Sequence, residues 1–475
     1  MNKCYIVRNW SILLVVLLTP ILLWLVWHIL PTHDDWASTT TPSFEPFFIR
    51  RHFLFYGFHW RPFDTWIGYV AGLDPQRLYP AFNHILVVVG HLMCTLCVHR
   101  LLTVLQFRPT AVNISTLFFF IAPATMATVT AIDSQNQVYA LIFGIFSFLC
   151  YIRLQKRKYL VWIILVFIAA LWKENGLMWA LITPILAYGF DFIDLKTLKR
   201  DLLVGIAVIV AYFLAIAILP KEIIIHPDYE PGILKMVKNT IKFFFTTFIT
   251  VDYVYLLHQP HRNLLLAAIS LLVATPFLLV VFFKNPRKWI NRKMACTALA
   301  LLIAVGPHLL TIFSMMHTYA GMAFMAIFIA YGLQNIQQHK TIVITFLLFI
   351  AAAVSIDLHL IDESVLSGKI GKKMAQEAIS KTGNRVDNVY VIIIEDDYPK
   401  LSSFCVVPSD AFGWGFAARH ETNYVWPDVI QDTIIERTPE ALKTAQRLAN
   451  EKLSDSSAEC VWIVNHTNVD VIKQP

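Results

Sequence analysis

NWSILLVVLLTPILLWLVWHIL, residues 9–30, runs directly into Pro31-Thr32-His33-Asp34-Asp35-Trp36, and the reading of this stretch decides what kind of molecule the chain is. A helix needs about 20 predominantly apolar residues to cross about 30 Å of hydrocarbon, and this run supplies them without one Asp, Glu, Lys or Arg. A secretory signal peptide is the competing reading. The run is long for one, and no small-residue cleavage site follows cleanly, so it is kept as a membrane helix whose end presents a carboxylate pair.

The rest of the chain repeats the pattern. Apolar stretches at 83–104, 112–130, 137–154, 159–172, 177–190, 202–219, 263–283, 294–313, 318–336 and 341–357 bring the expected transmembrane helices to about 11. The 475 residues are 57% hydrophobic and only 15% charged, which excludes a soluble globular protein of ordinary composition. The formal charge of +7 does not point to nucleic acid, because the basic residues stand in short clusters between apolar runs. One alternating set of loops holds Lys3 and Arg8, Arg100 and Arg108, Arg153 to Lys158, Lys196 to Arg200, Lys284 to Lys293, and Lys340. The other set includes 131–136 and 314–317, which have no Lys or Arg. The positive-inside rule therefore puts the N-terminus in the cytoplasm of a multi-pass cell-membrane protein. Asp34-Asp35, Asp133, Lys173-Glu174 and His317 then face the outside, as does the C-terminal segment.

Two outer segments exceed what a simple connection needs. In 31–82, the stretch Phe47 to Pro62 mixes aromatics with Arg50, Arg51, His59 and Arg61, the composition of a helix lying in the headgroup layer. In 220–262, Lys235, Lys238 and Lys242 precede Phe243, and Asp252-Tyr-Val-Tyr255 follows. Together they suggest a cavity roofed at the membrane surface. From about 358 the composition changes: helical spacing follows Gly368, β-branched runs at 388–395 and 460–464 read as strands, and 437–453 reads as an amphipathic helix. The expected organisation is a transmembrane domain over 1–357 and a small extracytoplasmic α/β domain over 358–475. Cys94 and Cys97 form a CxxC inside an apolar helix, where they read as core residues. Cys405 and Cys460 are the two cysteines of the exported segment, and an oxidising compartment would let them pair.

Charge beside a bilayer is costly, so the outer ionisable residues are the natural site candidates. Asp34 and Asp35 read either as an acid/base centre or as a helix cap. Asp133 lies in a tight loop, where it reads as a cap or a second carboxylate. Lys173-Glu174 is flanked by Leu171-Trp172 and Leu177-Met178-Trp179, and it reads as a snorkelling ion pair or as a cation that holds a phosphate. His317-Thr318-Tyr319 offers a single interfacial His, which reads as structural when taken alone. The chain has no P-loop, no HExxH and no GxSxG. An outer-face enzyme lacks cytosolic nucleotide sugars, so its activated substrate would be carried on lipid.

Asp34-Asp35 in the first outer loop, Trp60-Arg61-Pro62 further along it, the Asp133 loop, Trp172-Lys173-Glu174 and His317-Thr318-Tyr319-Ala320-Gly321 together resemble the GT-C class of membrane glycosyltransferases. They are most similar to the membrane half of tetratricopeptide-containing O-mannosyltransferases. The resemblance spans roughly residues 1–360. It departs where His317 stands in place of a late-segment Arg, and where a small α/β segment stands in place of tetratricopeptide repeats. It implies transfer of a sugar from a polyprenyl phosphate or pyrophosphate to a glycan, lipid or protein acceptor, with inversion. Asp35 or Asp34 would be the general base. Arg61, Lys173, His317 and Tyr319 would face the donor phosphate, with Asp133, Glu174 and His59 nearby. A divalent metal, Mg or Mn, shared by Asp34 and Asp133 is one version of the chemistry. A transporter or flippase is the alternative class, and a surface-polysaccharide polymerase or ligase is a second alternative.

Overall fold

The computed structural model describes residues 9–32, 35, 61–218, 232–249, 261–284, 289–309, 315–334, 336, 339–397, 407–422, 428–455 and 458–473. Each of the eleven apolar stretches carries helix in it. Among the described residues six helices are long and apolar enough to cross a membrane, or seven if one bent pair counts as a single span. The chain is thus a mostly helical membrane protein with a small sheet at its C-terminal end.

Helix α1 (Trp10–Val26) packs against the bundle through Val15, Leu22 and Val26, and Ser11 bonds to Asn113 through both its amide and its hydroxyl. Two short helices follow, α2 (Pro62–Gly72) and α3 (Pro75–Leu78). Pro62 suits the first position of α2, because the amide it lacks would have had no helical partner there. Helix α4 (Ala81–Val104) crosses the core. Helices α5 (Pro109–Ile121) and α6 (Pro123–Val129) form the bent pair, at 48°. The break has a local cause: Pro123 forces Ala122 out of the helical region, to ψ 132°. The Thr125 hydroxyl compensates by donating to the carbonyls of Phe119 (2.8 Å) and Ala122 (2.6 Å).

Helices α7 (Gln135–Arg153) and α8 (Lys158–Trp172) form a hairpin, and a 3-10 turn over Glu174–Met178 leads into α9 (Trp179–Gly189). Helix α10 (Leu195–Ile218) closes over them. Near the start of α8, the buried Asp201 carboxylate accepts the hydroxyls of Tyr151 and Tyr159 (2.9 Å, Tyr159) and Arg200 Nε (2.9 Å). That cluster ties α7, α8 and α10 together at the end of the hairpin opposite the 3-10 turn. Leu203, Ile206, Val210 and Leu214 make an exposed stripe along α10, the face a lipid-facing helix presents.

Next come α11 (Ile233–Ile249), α12 (His261–Phe283), α13 (Arg292–Leu309), a 3-10 turn over Met315–Thr318, and α14 (Tyr319–Leu333). Helix α11 is two-sided: Ile233, Leu234, Val237 and Ile241 are exposed, whereas Asn239, Phe243, Thr246 and Thr247 are buried. Asn239 Nδ2 donates to the Leu309 carbonyl at 3.2 Å, which seats α11 beside the end of α13. The expected interfacial helix over Phe47 to Pro62 lies outside the described residues, apart from Arg61 and Pro62.

The final helix, α15 (His339–Thr382), has 44 residues. The composition change at 358 falls inside it, because the chain exchanges an apolar surface for an amphipathic one without breaking the helical ladder. The sheet packs on its far end in the order β2-β1-β3-β4: β1 (Asn388–Ile394), β2 (Asp428–Ile435), β3 (Cys460–Asn465) and β4 (Asn468–Lys473). Strand β1 is parallel to both β2 and β3, and β4 returns antiparallel to β3. Short helices α16 (Pro408–Ala411) and α17 (Phe416–Glu421) lie between β1 and β2, and α18 (Ala441–Ser454) lies between β2 and β3. One sheet face buries Val389, Val391, Ile393 and Trp462 with Phe412, Ala417 and Ala418. The other buries Tyr390, Ile392, Ile394 and Ile463 with Ala441, Ala445 and Ala449 of α18. Gly371 permits the close docking of α15, since a Cβ there would lie 2.1 Å from the Ala411 carbonyl oxygen.

Candidate functional site

The Lys173 turn is built by the end of α8. Lys173 leaves the helix in extended backbone (φ −157°, ψ 142°), and its amide still donates to the Ala169 carbonyl at 3.1 Å. The 3-10 turn then folds back on α8 so tightly that a Cβ on Gly176 would lie 2.4 Å from the Ala169 carbonyl carbon and oxygen. This packing presses Lys173 into the bundle, where it is 5% exposed, while Glu174 stays at the rim.

Glu174 receives the Arg61 guanidinium from the start of α2. Nε lies 3.0 Å from both carboxylate oxygens and Nη2 lies 2.8 Å from Oε2, a forked ion pair that clamps α2 to the turn. About one helical turn after Arg61 comes Asp64. Its Oδ1 accepts Gln135 Nε2 at 2.9 Å and its Oδ2 accepts Asn136 Nδ2 at 3.0 Å. Gln135 and Asn136 open α7, and the Ser134 hydroxyl curls the preceding turn by donating to the carbonyls of Ala131 (2.8 Å) and Thr128. Asn136 also donates to the Asp133 carbonyl at 3.3 Å.

Two of these groups titrate abnormally. Burial lowers the Lys173 ammonium to about 7; the Arg61 charge acts in the same sense, and Glu174, Asp133 and Asp64 oppose it. Burial raises the Asp64 carboxyl, against the Asn136 hydrogen bond, the Arg61 and Lys173 charges and the Gln135 hydrogen bond. Lys173 therefore stands near its midpoint at neutral pH, so an arriving anion would restore its proton.

On the α13 side, Asn175 Nδ2 lies 3.4 Å from both Gln137 Oε1 and His308 Nε2. The His308 ring stacks on His317 with centroids 3.9 Å apart. Trp172 is sandwiched by Phe63 (5.2 Å) and Tyr139 (4.6 Å), an aromatic wall along the same cluster. Four buried amide atoms here, Gln135 Oε1, Asn136 Oδ1, Gln137 Nε2 and Asn175 Oδ1, have no hydrogen-bond partner among the described residues. Buried amides are satisfied almost everywhere in folded proteins, so each of these four calls for a bound water or a ligand.

The expected residues distribute unevenly. Arg61, Lys173 and Glu174 come together, Asp133 acts on Lys173 through its charge, and His317 joins through His308. Asp35 lies nine residues beyond the end of α1, where its Oδ2 accepts the Thr32 amide (2.9 Å) and its carbonyl accepts the Tyr79 hydroxyl (2.5 Å). Asp34 and His59 lie outside the described residues. The Tyr319 hydroxyl bonds to His91 Nδ1 at 2.7 Å in the bundle core. Cys460 is buried and makes no disulfide among the described residues; Cys405, and with it the expected disulfide, lies outside them. Among the described residues no three His, Cys, Asp or Glu side chains converge as a metal site, and the Asp34 half of the expected metal pair is not described. Asp64, Gln135, Asn136, Asn175 and His308 were not singled out by the sequence. The one signal for Asp64 is its spacing from Arg61, which puts both on one turn of a short helix.

No family model matches the chain, and no curated protein does. A crystal structure of the Archaeoglobus fulgidus oligosaccharyltransferase in complex with Zn and sulfate overlaps it with a TM-score of 0.44 at 13% identity. That overlap covers 92% of this chain and 64% of the oligosaccharyltransferase, so the chain spans less than two thirds of that protein. An overlap this loose carries neither fold family nor function.

Proposed function

We propose that the chain is a GT-C-type membrane glycosyltransferase, moving a sugar from a polyprenyl-phosphate or -pyrophosphate donor to an acceptor at the extracytoplasmic face. The observation that carries this reading is the buried Lys173, poised near neutrality beside the Arg61–Glu174 fork, with four unsatisfied amide atoms around it. A phosphate that gains negative charge as it leaves is the guest such a cluster favours most, since charge developing in a low-dielectric site is stabilised far more than in water.

In the proposed reaction the acceptor oxygen forms a bond to the anomeric carbon from the face opposite the phosphate. The carbon–oxygen bond to the phosphate breaks, and its electron pair goes to the phosphate oxygen. Asp35 or Asp34 takes the acceptor proton. Lys173 meets the phosphate charge, and Arg61, oriented by Glu174, supplies a second cation. Asp64 holds Gln135 and Asn136 in place and lends Lys173 a counter-charge. His317, stacked on His308, bounds the α13 side, and the Phe63–Trp172–Tyr139 wall suits the first isoprene units. In the metal-dependent version a Mg or Mn ion, held by Asp34 and Asp133, would add positive charge at the phosphate.

The test is transfer from a synthetic polyprenyl-phosphate sugar by the purified protein in lipid nanodiscs. Asp34→Asn, Asp35→Asn and Asp64→Asn are compared at equal membrane accumulation. Loss of at least a hundredfold in one first-loop variant supports the proposed base, whereas full transfer in both single variants and in the double variant defeats it.

A further inference from the structure

The C-terminal sheet carries a second polar cluster. Connections that leave adjacent parallel strands toward opposite faces open a crevice at the carboxyl ends, and open α/β sheets bind their ligands in such crevices. Strands β1 and β2 meet this condition, because the helices after β1 pack on the α15 face and α18, which follows β2, packs on the other.

Five side chains stand at those strand ends. Asp396, just after β1, has a fully buried side chain; its Oδ2 accepts the Ser409 amide at 3.0 Å and its Oδ1 lies 2.9 Å from His466 Nδ1. Arg437, after β2, reaches across the end of β1. Its Nε donates to the Glu395 carbonyl at 2.6 Å and its Nη2 to Asn465 Oδ1, at the end of β3, at 3.0 Å. Asp397 is 71% exposed, and its Oδ1 lies 3.5 Å from both Arg437 Nε and His466 Nε2. The floor is thus preformed, with one carboxylate sealed beneath it and another, paired with Arg437 and His466, exposed at the mouth.

The mixture of charges restricts the ligand. A divalent cation is disfavoured by a guanidinium within 3.5 Å of one carboxylate and 3.8 Å of the other. An anion is disfavoured by two carboxylates against one guanidinium. A sugar hydroxyl both donates and accepts, so vicinal hydroxyls match a carboxylate set beside guanidinium, amide and imidazole groups.

We propose that this crevice, where Asp397, Arg437, Asn465 and His466 converge over buried Asp396, binds a neutral polyhydroxyl ligand, a sugar residue presenting vicinal hydroxyls. Its assignment to the sugar of the acceptor rests on the transferase reading; the binding itself does not.

Saturation-transfer NMR on the full-length protein in nanodiscs, with methyl glycosides of glucose, mannose, galactose and arabinose, tests it. At least one glycoside takes up saturation, and Asp397→Asn and Arg437→Gln each weaken its binding at least tenfold. Lys173→Met leaves it unchanged. Asp397 is solvent-exposed, so its variant reports on the crevice even if Arg437→Gln disturbs the strand ends. The proposal is overturned if no glycoside gives a signal sensitive to Asp397→Asn, or if only manganese ion or inorganic phosphate does. Glycoside binding without transfer from a lipid donor would remove the transferase reading and leave the sugar site standing.

Discussion

Lys173 offers the most demanding prediction. Its fall from 10.5 to about 7 corresponds to about 5 kcal/mol against the charged form in the donor-free protein. A phosphate oxygen at about 4 Å, at an effective dielectric of about 20, returns about 4 kcal/mol. Donor binding therefore re-protonates Lys173, and the protonated form is the one that binds. Because the free ammonium is depressed, the fraction competent to bind falls as pH rises through about 7. Donor KM should then be flat below about pH 6, roughly tenfold higher at pH 8 and roughly a hundredfold higher at pH 9. Lys173→Met should hold KM at its high-pH value and abolish the slope. The assay is steady-state transfer from a polyprenyl-phosphate sugar in nanodiscs between pH 6 and 9, with the acceptor saturating. A wild-type KM independent of pH over that window, or an unchanged slope in Lys173→Met, would refute the assignment of Lys173 to the donor phosphate.

Arg61→Ala leaves the partly buried Glu174 without its fork; about 3 kcal/mol of destabilisation is expected by thermal melting in detergent, recovered in part by Arg61→Ala with Glu174→Ala and not by Arg61→Lys, which lacks the fork. Asp64→Asn supplies one acceptor where Gln135 and Asn136 present two donors; transfer should drop while melting changes little, because Asp64, its carboxyl raised in the fold, loses folding stability as pH climbs above its ordinary value of 3.8 and the amide removes that liability. Gly176→Ala drives a methyl group into the Ala169 carbonyl and should unseat the Lys173 turn, read as a loss of donor use and a fall in melting temperature together.

The sequence disclosed the helices through unbroken apolar runs, and it disclosed Arg61 and Lys173-Glu174 through charge set among large apolar residues. Asp64 stayed hidden because it sits in a short helix among Phe63, Thr65 and Trp66, with nothing to distinguish it from a cap. His308 lies inside the apolar run 294–313, which reads only as a membrane span. Asn175 and Gln137 are neutral, and only the fold shows that their unsatisfied atoms gather in one place. The full length of α15 is not legible because the apolar run ends at 357, where the helix changes its surroundings without stopping. Strand β2 went unseen because Asp428, Gln431 and Asp432 interrupt its apolar residues. Tyr319, a donor-phosphate candidate by resemblance, is turned by helix α14 into the core toward His91.

Helix α15 sets a mechanical tolerance. At about 1.5 Å per residue its 44 residues make a rod of about 66 Å. Gly368 lets that rod lie against the chain at Leu30, where a Cβ would come within 2.6 Å, so the contact acts as a bearing. The portion beyond it, from Gly368 to Thr382, is an overhanging arm of about 21 Å that carries the sheet. A tilt of about 5° at the bearing moves the end of such an arm by about 2 Å, most of a hydrogen-bond length. The stiffness of that helix at its Leu30 contact, together with the Tyr79–His420 ring contact (6.2 Å), thus limits how accurately the strand ends are held relative to the membrane half.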